Sequence, residues 1–93
     1  MGVFADKDYE NILEIMSQCG NTIITHKPDG PRGLDAGILA ARAGRLFENT
    51  VNGENLENAF KLAREMAEPG DVIVSFGSLS TLKKLYQIVG EFQ

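Results

Sequence analysis

Apolar positions along this chain change period in a regular way, with short β-branched runs alternating with stretches in which apolar residues recur every three or four positions. Gly2-Val3-Phe4 reads as the tail of a strand. Asp6 or Asp8 then offers an N-cap for a helix that carries Tyr9, Ile12, Leu13 and Met16 on one stripe, with Gly20 as its C′ residue. Thr22-Ile23-Ile24-Thr25 predicts a second strand, and the loop from His26 to Gly33 contains Pro28 and Pro31, which forbid regular structure. A helix is expected from about Asp35 to Ala43, rich in small residues that allow close packing, although Gly37 weakens it by about 1 kcal/mol.

Phe47 to Val51 alternates like a brief strand, and Asn52 to Asn55 supplies turn and capping chemistry. Next comes a helix with Leu56, Ala59, Phe60, Ala63, Met66 and Ala67 at helical spacing, stopped by Pro69-Gly70. Val72 to Phe76 is apolar without alternation, which reads as a strand inside a parallel sheet. The last helix is expected to turn Leu82, Leu85, Tyr86 and Val89 inward and Lys83 and Lys84 to solvent.

Four β-α steps in succession require right-handed crossovers, hence an α/β unit with a mostly parallel sheet of about four strands alternating with four helices, spanning residues 1–93 as one domain. The first strand has hardly three residues where about five or six are usual, so the opening looks like a cut through a larger domain.

Composition narrows the picture. A chain of 93 residues with 43% hydrophobic and 24% charged content suits one small folded domain with a thin core. A net charge of −4 argues against nucleic acid and against an anionic membrane surface. No run approaches the roughly 20 apolar residues of a membrane span, and the first residues lack a signal-peptide layout, so a cytoplasmic location is expected. Cys19 stands alone and is expected to be a reduced, partly buried thiol.

In a parallel sheet every loop that follows a strand opens on the same edge. Lys7 follows the first strand, His26, Lys27 and Arg32 the second, and Gly77, Ser78 and Ser80 the last. With the partial positive charge of helix N-termini they make a receptor for carboxylate or phosphate on an otherwise acidic protein. Each residue also has an ordinary reading: Asp6, Asp8 and Ser78 as caps, Lys7 in water, Arg32 tying down its loop, and His26 as a lone histidine without a partner at metal or triad spacing. There is no phosphate-binding Gly-x4-Gly-Lys-Ser/Thr loop, no Gly-x-Gly-x-x-Gly, no Cys/His cluster and no nucleophile beside a base, so no complete active site is expected.

Val3-Phe4-Ala5-Asp6-Lys7-Asp8-Tyr9, Lys27-Pro28-Asp29-Gly30-Pro31-Arg32 and Asp71-Val72-Ile73-Val74-Ser75-Phe76-Gly77-Ser78-Leu79-Ser80-Thr81, in that order, resemble the C-terminal domain of folylpolyglutamate synthase, a member of the Mur ligase superfamily. The resemblance implies a Rossmann-like three-layer sandwich. It implies part of an ATP-dependent amide ligase that activates a folate carboxylate as an acyl phosphate and joins it to the amine of glutamate. The partners implied are glutamate and folate in the full-length enzyme, together with an N-terminal ATPase domain that this domain closes over. ATP and Mg belong to that full-length enzyme, and none is expected in this chain. By position Lys7 matches the lysine that meets a carboxylate of the incoming amino acid, Arg32 the arginine of the Asp-x-Pro-Arg motif, and Ser78 the serine of the Gly-Ser turn. The Asp-Gly-Ala-His-Asn-Pro-like segment that opens the family's C-terminal domain has no counterpart before Gly2. The chain is therefore expected to be catalytically incomplete alone.

Two other readings stand beside it. One is a stand-alone flavodoxin-like module using the same edge for a small phosphate-bearing ligand. The other is an interaction module, in which exposed ladder groups pair with a second copy, so that a homodimer or swapped element is expected of the isolated chain.

Overall fold

The structure is a computed structural model that describes residues 1–77 and 82–91, with the backbone alone for Leu82, Lys83 and Glu91. Helix α1 (Tyr9–Met16) leads to strand β1 (Thr22–Thr25), helix α2 (Ala36–Ala43), strand β2 (Asn49–Asn52), helix α3 (Leu56–Met66) and helix α4 (Leu82–Glu91). The architecture is α/β. β1 and β2 pair in parallel, Thr22 opposite Asn49 through Thr25 opposite Asn52, with α2 as the crossover between them. Asp35 caps α2 by accepting from the N–H groups of Gly37 and Ile38, and Asn55 caps α3 by accepting from that of Asn58.

The alternation of β1 separates two environments. Ile23 joins Val3, Leu13 of α1, Leu34, Leu39 and Ala43 of α2, and Phe47 in one buried cluster, and Thr25, fully buried, donates its hydroxyl to the Ala36 carbonyl at 2.8 Å. An ion pair from Arg42 to Glu10 closes the outer side of the α1–α2 contact. Ile24 and His26 have the opposite parity and line a cavity walled by α3.

Residues 1–4 extend this framework without forming a regular strand. The Met1 amine donates to the Ile24 carbonyl at 2.8 Å, and the Met1 carbonyl accepts from the His26 N–H at 2.9 Å, so Met1 runs parallel to β1 on the edge away from β2. Gly2 bridges Gly77 in parallel, and Phe4 bridges Gly33 in antiparallel sense. Gly77 has φ +120°, and a Cβ on it would strike the Gly2 carbonyl, so both backbone geometry and space demand glycine there.

Several expectations are corrected. Residues 71–76 form no strand, and Val72, Ile73 and Val74 are 84%, 46% and 59% exposed rather than interior. They lie at an edge where only Gly77 has a bridge, so an apolar run without a neighbour stays uncovered. Helix α1 stops at Met16 rather than at Gly20, because Gln18 and Cys19 tighten the chain by donating to Ile15 and Met16. Cys19 beyond that turn is exposed. β2 starts two residues later than expected, leaving Phe47 to fill the core just before the strand. Among the described side chains of α4, Ile88 is buried and Tyr86 is 70% exposed. Lys84 is partly covered and pairs with Asp29 at 3.0 Å, while the side chain of Lys83 lies outside the described residues.

Candidate functional site

The turn after the N-terminal segment and the proline loop after β1 are laced together by backbone. The Ala5 N–H donates to the Arg32 carbonyl at 2.8 Å, the Leu34 N–H to the Val3 carbonyl at 2.9 Å, and the Lys7 N–H to the Phe4 carbonyl at 3.1 Å. The Arg32 guanidinium lies 4.7 Å from the centre of the Phe4 ring, a cation–π stack that holds the side chain over the same rim. Pro28, Gly30 at φ +98° and a 3.3 Å bond from Lys27 Nζ to the Gly30 carbonyl shape the loop. Lys84 ties its Asp29 to α4.

Lys7 and Arg32 are thus brought to one rim, both exposed, and among the described residues no carboxylate pairs with either. Ser78, the third expected residue, lies outside the described residues, as does Ser80. Its neighbour Gly77 is bridged to Gly2, in the segment that leads to Lys7. Lys27 is bound to its own loop and adds charge but no aimed donor.

His26 leaves the anion receptor. It is only 2% exposed, and desolvation lowers its pKa from 6.5 to about 4, helped by the positive N-terminus and Lys84 and opposed by a hydrogen bond with the Lys27 backbone and by Asp29. The ring is neutral at pH 7. Its Nδ1 is buried without a hydrogen-bond partner among the described residues, and the ring packs over Gly2, where a Cβ would overlap it. Burial also lowers the pKa of the Met1 amine from 8.0 to about 5.

These two groups sit at one end of a cavity of about 390 Å³. Gly20 to Ile24, residues 71–76 and, from α3, Leu56, Ala59, Phe60 and Ala63 line it. Neither the cavity nor the burial of His26 was anticipated from the sequence. The signal for the histidine was its parity with Ile24 and the missing side chain at Gly2 opposite. Set against family models, curated proteins and solved structures, the chain matches none.

Proposed function

We propose that this chain is the amino-acid-presenting domain of an ATP-dependent amide ligase of the folylpolyglutamate synthase kind, and that its rim grips the carboxylates of an incoming glutamate. The observation that carries the reading is the backbone lacing that draws the Lys7 turn and the Arg32 loop together, with Gly77 bridged to the same N-terminal segment. An ammonium, a guanidinium fork and the donors of a Gly-Ser turn suit two carboxylates.

The finer fold belongs to the same proposal. The bonds of Met1 along β1 and the parallel bridge of Gly2 to Gly77 support a sheet in the order β2, β1, residues 1–4, residues 71–77. In that order the chain reverses its direction of winding between the last two members. Ligands of open α/β sheets bind beyond the strands' carboxyl ends at such a reversal, which is where Lys7 and Gly77 follow their segments.

ATP and Mg would be held by other parts of the enzyme. Among the described residues no group of three His, Cys, Asp or Glu side chains could hold a metal ion. What these residues do is bind and orient the amino acid through its carboxylates.

Titration of the ¹⁵N-labelled chain with L-glutamate tests this. Saturable shifts are expected at the amides of Lys7, Arg32 and Gly77, with a Kd of about 1 mM, and Lys7→Ala or Arg32→Ala should weaken binding about tenfold. The same shifts with L-lysine, or none with glutamate, would overturn the reading. Tight binding of ATP would also count against it.

A further inference from the structure

Two of the segments that line the cavity, residues 20–24 and 71–76, leave backbone groups without a ladder partner among the described residues. On one side, the Asn21 and Thr25 carbonyls accept from Asn49 and Gly53, so odd-numbered residues of β1 point their polar groups toward β2. Even-numbered residues point the other way, and Ile24 and His26 spend a carbonyl and an N–H on Met1. The Met1 pairing ends there. By the same alternation the N–H and carbonyl of Thr22 and the N–H of Ile24 face the cavity with no strand opposite. On the far side Val72 to Ser75 have no backbone partner among the described residues, although Gly77 beyond them is paired. The register explains both gaps. With Gly2 opposite Gly77 and Met1 bonded to Ile24 and His26, residues that could continue the ladder would lie before residue 1.

We propose that this trough is a vacant strand position, and that its occupant is an extended apolar polypeptide strand from outside residues 1–93, running parallel to β1 and end to end with Met1. Met1 and Gly2 stand between β1 and Gly77, so one strand continues their place between the two edges, and the ladder donors and acceptors there need peptide groups, which a compact apolar molecule does not offer. The cover of Leu56, Ala59, Phe60 and Ala63 and the exposed Val72, Ile73 and Val74 call for apolar side chains on the occupant. A second copy of residues 1–93 is a poorer occupant. Its residues 71–76, which lack a ladder partner among the described residues, already line its own trough. The inference does not depend on the rim's ligand.

The test joins a Thr-Val-Ile-Val-Thr strand directly before Met1 and follows amide hydrogen exchange, with a Thr-Pro-Gly-Pro-Thr extension as control because proline cannot serve a central ladder. The amides of Thr22, Ile24, Val72 and Val74, which by alternation face the trough, should slow at least about tenfold with the first extension only, while those of α2 stay unchanged in both. The free Thr-Val-Ile-Val-Thr peptide should give the same pattern at far higher concentration, since joining supplies an effective concentration of the order of millimolar. Unchanged exchange at those four amides in the joined protein, with α2 still protected, would overturn the proposal. So would protection that appears without any added strand and grows with protein concentration as a dimer forms.

Discussion

The two faces of β1 are built to different standards. Toward α1 and α2, Val3, Leu13, Leu39 and Ala43 are almost wholly removed from solvent, and the buried Thr25 hydroxyl is satisfied by Ala36. Toward α3, Ile24 and His26 border a hollow of about 390 Å³, and an imidazole nitrogen there has no partner among the described residues. The same short strand therefore serves a closed core and an open one. The difference lies in neighbours, because α2 crosses over directly between the paired β1 and β2, whereas α3 faces residues 71–76 across a gap.

Truncation should expose that contrast most strongly. Leu39→Ala is expected to cost about 2–5 kcal/mol in urea unfolding, since its site is closed on all sides. A cost below about 1 kcal/mol would mean that the α1–α2 side is as loose as the other.

Acid should act through two groups beside the hollow. The Met1 amine and His26 have folded pKa values of about 5 and about 4, below the 8.0 and 6.5 expected without burial. Both groups take up protons on unfolding, so their contribution is complete above pH 8 and is lost as pH falls from 8 to 5 for the amine and from 6.5 to 4 for the ring. The combined loss should be on the order of a few kcal/mol, read from denaturation midpoints across pH, and acetylation of Met1 should remove the upper step. A flat profile between pH 8 and pH 5 would break the assignment.

Opposite signs are expected from one substitution made twice. Ala43→Leu overfills the closed cluster and should cost about 1–3 kcal/mol. Ala63→Leu extends into the cavity and should leave stability unchanged or raise it by up to about 1 kcal/mol. The smallest effects belong to the exposed ion pairs. Removing Arg42–Glu10 on one side or Lys84–Asp29 on the other should change stability by less than about 1 kcal/mol, declining further with salt.

Much of the closed side was legible in the sequence. The β-branched run Thr22-Ile23-Ile24-Thr25 matches β1 residue for residue, and Asp35 marks the start of α2 because its cap chemistry is local. The stripe of α1 also faces the core, with Leu13 buried and Tyr9, Ile12 and Met16 packed against it. The open side was not legible to the same degree. Val72-Ile73-Val74 has the composition of an interior strand, yet burial depends on a neighbour that those residues do not encode. On α4, Tyr86 and Ile88 both fit an apolar helix face, and contact with α3 rather than periodicity decides which is covered. At the rim, the nearness of the Lys7 turn to the Arg32 loop rests on the Ala5–Arg32 and Leu34–Val3 backbone bonds, and the burial of His26 on Gly2, contacts between residues far apart in sequence.

The contact of Gly2 with Gly77 joins positions separated by most of the chain's length. During synthesis the first residues leave the ribosome long before Gly77 exists, so they must pair with β1 while their other edge is bare. Deferred closure of this kind leaves the outer edge of the opening segment unpaired until Gly77 arrives. It also makes the last quarter of the chain the step on which the completion of folding waits.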